Sequence, residues 1–201
     1  MNKKIWVLVA AICLLLPVTL SAEVLDFSIG ATAQYQVDAE DVSSSTGEDL
    51  INPDNYSFGA EARIKFLMLE VSDMALVGPD DDGWQVSNLM TAGLSFDLLN
   101  LVRVGVGLGP EFLINIDENG SATDVNGDAF NFGTIFMTSN CTYKANVDFL
   151  LGGITLSANY TIPSQGFNIQ NIVDHGWDFG YLAFDDPDEG KFGVSVLISL
   201  I

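Results

Sequence analysis

His175 is the single histidine of this chain, and Asp174 precedes it. A histidine held by a carboxylate could activate a nucleophile for hydrolysis or lipid modification, but the nucleophile must lie within hydrogen-bond reach of its base. Neighbours on one loop rarely point at each other, so a solvated loop histidine is expected. Oxygen-rich turns are more frequent. They are Asp80-Asp81-Asp82-Gly83, Asp117-Glu118-Asn119-Gly120, Asp124-Val125-Asn126-Gly127-Asp128 and Asp185-Asp186-Pro187-Asp188-Glu189-Gly190. Hard cations such as calcium take these ligands, and Asp124, Asn126 and Asp128 have the opening spacing of an EF-hand loop. The glycine at the sixth position and the glutamate at the twelfth are missing. The expectation is no resident cofactor, with weak divalent binding by the loops together, because so many like charges otherwise repel. Phe167, Trp177, Phe179, Tyr181 and Phe184 are interleaved with acids in one stretch. Such a cluster marks either a contact surface for a partner or an aromatic girdle at a membrane interface. Cys141 has only Lys144 near it in sequence and reads as a small buried or lipid-facing residue, not a redox centre.

The elements that hold these residues show a period of two. Apolar and polar residues alternate over residues 26–37, 57–66, 90–98, 102–116, 143–149, 154–162 and 191–200. An eighth strand, about residues 69–78, is needed to pair them. Asp73 falls on its apolar phase, and a bulge near Ser72-Asp73 would restore the pattern. Connections near Leu67-Met68, residues 99–101 and residues 151–153 are short, whereas 38–56, 78–88, 117–129 and 163–189 read as long. The result is an antiparallel meander with one short-turn end and one long-loop end. Gly105, Gly107 and Gly109 alternate on a strand and so make room in a narrow barrel; they do not form a phosphate loop.

Alternation alone leaves open which face lies inside. A lipocalin-like secreted binder turns its apolar face inward, and a membrane barrel turns it towards lipid. The polar phase here is mostly Gly, Ser, Thr and Asn. Arg63, Lys65, Arg103, Lys144 and Lys191 all lie on that phase, together with Glu61, Asp97, Glu111 and Asp148, and with Asp26 and Glu70. A Lys or Arg facing lipid at the bilayer midplane costs about 2–4 kcal/mol, and none is placed there. These groups form a near-neutral set suited to an enclosed polar lumen, either as a salt-bridged plug or as the lining of a pore. Most of the 27 acidic residues fall in the long connections, which carry no Lys or Arg. Strands of about 9–11 residues cross a bilayer when tilted, and eight of them enclose a space that side chains can fill.

Composition agrees. The net charge is −20, yet only 17% of residues are charged and 48% are hydrophobic, with a mean hydropathy of +0.31. This excludes a disordered chain. It also excludes a nucleic-acid binder, which needs many cations against phosphate. Residues 1–22 read as a signal peptide: Lys3 and Lys4, an apolar run from Ile5 to Leu20, then Ser21-Ala22 as a cleavage site. Cleavage removes Cys13 and leaves Cys141 alone, so no internal disulfide is expected. Residues 23–201 form the expected barrel domain.

By pattern and topology, the whole expected mature chain resembles the small outer-membrane barrels of the OmpX, OmpW and OmpA-transmembrane type. Phe58-Gly59-Ala60-Glu61-Ala62-Arg63-Ile64-Lys65-Phe66, running into an apolar turn, resembles spirochaete-type barrels. The resemblance implies an all-β, eight-stranded, up-and-down transmembrane barrel in the outer membrane of a diderm bacterium, with periplasmic turns and extracellular acidic loops. It implies that outer-membrane lipid and the barrel-assembly machinery are partners, and that the last strand is the assembly signal. That strand ends Ser199-Leu200-Ile201, so lipid-phase Leu200 is penultimate where such barrels usually end on an aromatic residue. The expected role is non-enzymatic display of the loops for surface stabilisation, adhesion or capture of an extracellular ligand or host surface. The alternatives are a narrow porin-like channel, an OmpW-like path for small hydrophobic molecules, or the lipocalin-like binder. Mature protein from the cell envelope is expected to begin at Glu23, which N-terminal sequencing checks.

Overall fold

The computed structural model describes residues 25–37, 47–80, 83–98, 100–124, 127, 129–184 and 186–201. The expected signal segment, Asp81, Asp82, Asn126, Asp128, Asp185 and the side chain of Phe179 lie outside this description. The strands are β1 (Leu25–Tyr35), β2 (Tyr56–Phe66), β3 (Leu69–Asp80), β4 (Gly83–Leu98), β5 (Val102–Asp117), β6 (Ala122–Thr123), β7 (Cys141–Leu150), β8 (Ile154–Pro163) and β9 (Lys191–Ser199). Eight of them form one closed antiparallel barrel. Sequential neighbours pair throughout, β5 pairs directly with β7, and β1 with β9 closes the ring. The two-residue β6 pairs with the outer end of β5, and its Thr123 bridges Ala129.

Stepping between paired residues from Leu25 leads through Phe66, Leu69, Leu94, Val106, Ala145 and Tyr160 to Phe192. Phe192 adjoins Gly193, whose partner on β1 is Gln34. One circuit therefore climbs most of β1, and such a stagger means steeply tilted strands.

Burial is inside out. Phe58 and Val194 are 55% and 60% exposed, whereas Asp148 and Arg63 are 0% and 2% exposed. A water-soluble sheet hides its apolar face; this one hides Ser, Thr, Asn and ions, and covers its exterior with Ile, Leu, Val and Phe. The lipocalin-like alternative is overturned, because its lumen would have to be apolar. The chain is an eight-stranded antiparallel transmembrane β-barrel.

The short turns fall where expected. Leu67 and Asn100 have positive φ (56° and 54°), as do Gly152 and Gly153 (64° and 97°). Asparagine and glycine tolerate that region. At the other end, one expectation needs correction. The 78–88 stretch is not a long loop: β3 and β4 stay paired from Leu69↔Leu94 up to Asp80↔Gly83, forming a hairpin that β5 accompanies as far as Gly83↔Asp117. Trp84 and Val86 face out while Gln85 and Ser87 face in, so the alternation persists through residues whose Asp, Pro and Gly content suggests a loop. The proposed bulge at Ser72-Asp73 is also absent, since both ladders of β3 run through it in unbroken register. Asp73 simply faces outward.

The loops carry short helices, Gly47–Ile51, Phe132–Thr138 and Ile169–His175. Asn131 caps the second, accepting from the N–H groups of Gly133 and Thr134, and Asn168 caps the third through Asn171. In detergent-solubilised membranes the protein is expected to migrate on a gel at different apparent masses before and after boiling, because the ladder has no free edge from which to unravel. Identical migration would contradict a closed barrel.

Candidate functional site: a lumen plug between two recesses

β2 places Glu61, Arg63 and Lys65 at alternate positions, so all three point inward. Eight strands enclose a lumen narrow enough for long side chains to span it. Arg63 bonds Glu61 at 2.6 Å, Asp148 on the opposite wall at 2.8 Å and Ser157 at 2.8 Å. Lys144 donates to Glu61 and, at 3.3 Å, to Ser72. The second carboxylate oxygen of Glu61 accepts from Ser195 at 2.5 Å. Towards the short-turn end, Arg103 bridges Asp97 at 2.6 Å and Asp26 at 2.8 Å, and Lys65 donates to Asp97. Ser199 donates to Asp26 at 3.1 Å.

Seven of the nine residues expected in the lumen network are therefore joined: Arg63, Lys65, Arg103, Lys144, Glu61, Asp97 and Asp148. Two are not. Glu111 is bonded by hydroxyl groups, Ser87 at 3.0 Å and Thr142 at 2.8 Å, and lies nearer the loop end. Lys191 contacts Gln36 at 3.4 Å at the rim. Their strands place them too far along the barrel to reach the plug. Asp26, expected on the same polar phase, joins them through Arg103, and the hydroxyl groups of Ser72, Ser157 and Ser195 complete the set through Lys144, Arg63 and Glu61. Those serines are legible only as polar-phase positions, since their partners sit on distant strands.

Above the ions, Met74, Leu76 and Leu89 form an apolar cluster inside the lumen, each 1% exposed. Lumen-facing Gly105 leaves space for the Asn146 side chain: a Cβ there would meet its Oδ1 at 2.5 Å. On either side lies a recess. The one at the short-turn end, about 620 Å³, is lined by Asp26, Asp97, Arg103 and the final residues Leu200 and Ile201. The one at the loop end, about 520 Å³, is lined by Glu111, Asp124, Ile135, Asn140, Thr142 and Asn171 among others.

The candidate metal ligands are dispersed. Asp80 is exposed at the hairpin tip, Asp124 is buried beside the outer recess, and Asp186 caps a 3-10 turn by accepting from the N–H of Asp188 at 3.0 Å. Among the described residues no three His, Cys, Asp or Glu side chains converge to hold a metal. His175 ends its helix exposed, and Asp174 accepts from Gln170 at 2.7 Å, not from His175.

The aromatic stretch divides. Phe184 packs edge-on against Tyr143 of the barrel exterior, with centroids 4.6 Å apart. It joins a belt around the loop end that includes Tyr35, Tyr56 and Phe58, the set Phe112, Phe132 and Phe136, and the pair Tyr160 and Phe192. Phe167 and Trp177 instead pair with each other at 6.1 Å, and Trp177 is exposed. Tyr181 is half-buried in the 3-10 turn Phe179–Leu182.

Three solved structures are similar to this chain in overall form. The attachment invasion locus protein Ail of Yersinia pestis is 12% identical with a TM-score of 0.45, the match covering 87% of this chain and 95% of that one. The de novo designed TMB2.3 is 8% identical with a TM-score of 0.40, over 88% and 94%. Neisserial surface protein A, NspA, is 13% identical with a TM-score of 0.36, over 87% and 94%. No protein-family model and no curated protein matches the sequence.

Arg63→Ala is expected to destabilise the folded barrel by about 3–5 kcal/mol, because it leaves Asp148 buried without its cation. Urea unfolding in lipid vesicles measures this, and Arg63→Lys should recover part of the loss.

Proposed function

We propose that this chain is a non-enzymatic integral protein of the outer membrane of a diderm bacterium, whose work is done by the acidic loops it displays outside the cell. The observation that carries this reading is the plug. Arg63, Lys65, Arg103 and Lys144 are all ion-paired across the lumen, and an apolar cluster is stacked above them. A pore needs a continuous wet path, whereas here opposite walls are bonded to each other. What remains for interaction is the loop end.

The orientation follows from lengths. Short turns belong to the periplasmic end of such barrels and long loops to the outside. The aromatic belt beneath the loops sits where the outer interface of the lipid would be. Lipid is then the partner of the apolar band, and the assembly machinery the partner of the last strand. The loops carry a large excess of negative charge. Divalent cations such as calcium would relieve that repulsion and bridge the loops to anionic groups around them, which is surface stabilisation by simple electrostatics. Exposed Trp177 with Phe167 offers an apolar anchor in the same region for a ligand or host surface.

Protein reconstituted in planar bilayers is expected to give no stable conductance steps, and protease added to intact cells should cut within 163–189. Steady openings would overturn the plug reading, and protection of that loop would overturn the orientation.

A further inference from the structure

Four lumen carboxylates, Asp26, Glu61, Asp97 and Asp148, are ion-paired with a Lys or Arg. Glu70 and Glu111 are not. Glu70 is buried and sits cross-strand from Lys65, inside the plug. Glu111 is different, because it is half-buried and opens on the outer recess. Its oxygens accept only from hydroxyl groups, Ser87 at 3.0 Å and Thr142 at 2.8 Å, and among the described residues no cation pairs with it. A carboxylate offers about four acceptor positions, so roughly two are left open. Lys191 does not fill them; its Nζ donates to Gln36 at 3.4 Å. Taking a charge out of water without a counterion is costly.

The recess in front of Glu111 measures about 520 Å³, a size usual for small-ligand sites and far beyond that of one ion. Asp124 lines it as well and is only 7% exposed. Asn171 donates its Nδ2 to the Gly166 carbonyl at 2.7 Å, which leaves its Oδ1 without a donor among the described residues. Leu113, Ile135 and Pro163 give the same recess an apolar side. No Lys or Arg lines it, and none occurs in the chain between Arg103 and Lys144 or between Lys144 and Lys191. The walls are tied to each other. Asn168 Nδ2 donates to Asn140 Oδ1 at 2.8 Å, and the Cys141 N–H donates to the Phe167 carbonyl at 2.8 Å. A cavity held in this way costs little ordering when it is filled.

We propose that the outer recess binds a cation on a short carbon stem, an alkyl ammonium or alkyl guanidinium, with Glu111 and Asp124 facing the charge. The proposal deepens the ligand-capture reading above and rests on it. The occupant follows from the lining. An anion would meet two carboxylates and no cation. A neutral sugar would leave both carboxylates uncompensated. A metal ion alone would lack a third acidic ligand and would leave most of the volume empty. An ammonium group instead has three donors for open carboxylate and amide oxygens, and its methylenes can lie along Leu113, Ile135 and Pro163. The acidic loops around the mouth would draw such cations in, since a cleft of one sign concentrates ions of the other.

The test is calorimetric titration of the full-length protein in uncharged detergent, with 1,5-diaminopentane as probe. Saturable binding is expected, and Glu111→Gln should weaken it by about tenfold or more. Asp54→Asn, which removes an exposed charge from the β1–β2 connection, should change it less than twofold. A capped tripeptide with a central lysine carries the same chemistry. Stronger binding of the diamine supports a free amine as the occupant, and stronger binding of the tripeptide supports a side chain of an extracellular polypeptide. A shift in gel migration on boiling shows that each variant is a folded barrel. No saturable binding by the folded parent, equal binding by Glu111→Gln, or an equal loss in Asp54→Asn would overturn the proposal. So would binding of calcium or glucose in place of both amines. Neither membrane orientation nor conductance enters a titration in detergent, so its failure leaves the display reading standing, and that reading fails separately in bilayers and on intact cells.

Discussion

Mutual neutralisation of ions inside a narrow lumen is the constraint on which the rest depends. Once the exterior is given over to hydrocarbon, every charge on a strand has one place to go, and a buried charge is tolerable only beside its opposite. Glu61 meets this demand fully: Arg63, Lys144 and Ser195 bond its carboxylate from three strands. Asp148 meets it less completely. One of its oxygens has Arg63 and Asn146, while the other has no partner among the described residues, and one oxygen of buried Glu70 is likewise unmatched. Water in the lumen would complete such groups.

The network also sets the division of labour along the barrel axis. At the short-turn end, Asp26, Asp97, Arg103 and Lys65 form a second layer of ions. Towards the loop end, ions give way to Met74, Leu76 and Leu89, and then to a recess of hydroxyls, amides and two carboxylates. The middle is rigid by construction, because each cation ties strands far apart in sequence. The connections at the loop end lie outside this network, and function is usually carried by loops held on such a scaffold.

Much of this was legible from period-two alternation, because each strand has only two faces and one of them must meet lipid. Arg63, Lys65, Arg103 and Lys144 could be assigned to one enclosure without knowing who pairs with whom. The pairings were not legible, since Arg63 meets Asp148 across the lumen and only closure of the ring fixes that register. The Phe132–Thr138 helix was missed, although Asn131 as its cap and the Phe132/Phe136 spacing were in plain view. Asp73 misled in a useful way. A rule that apolar residues face lipid required a bulge, and the chain keeps its register and breaks the rule instead.

The alternation of Glu61, Arg63 and Lys65 along β2 has a consequence before the barrel exists. On an unfolded chain crossing an aqueous compartment, the same charges punctuate runs such as Phe58 to Phe66 that would otherwise pair with other copies as bare β-segments. Charges set within hydrophobic strands act as gatekeepers against aggregation. The groups that close the lumen at the end of folding would thus keep the chain solvated on its way to the membrane, and they lose that role as each one finds its counterion.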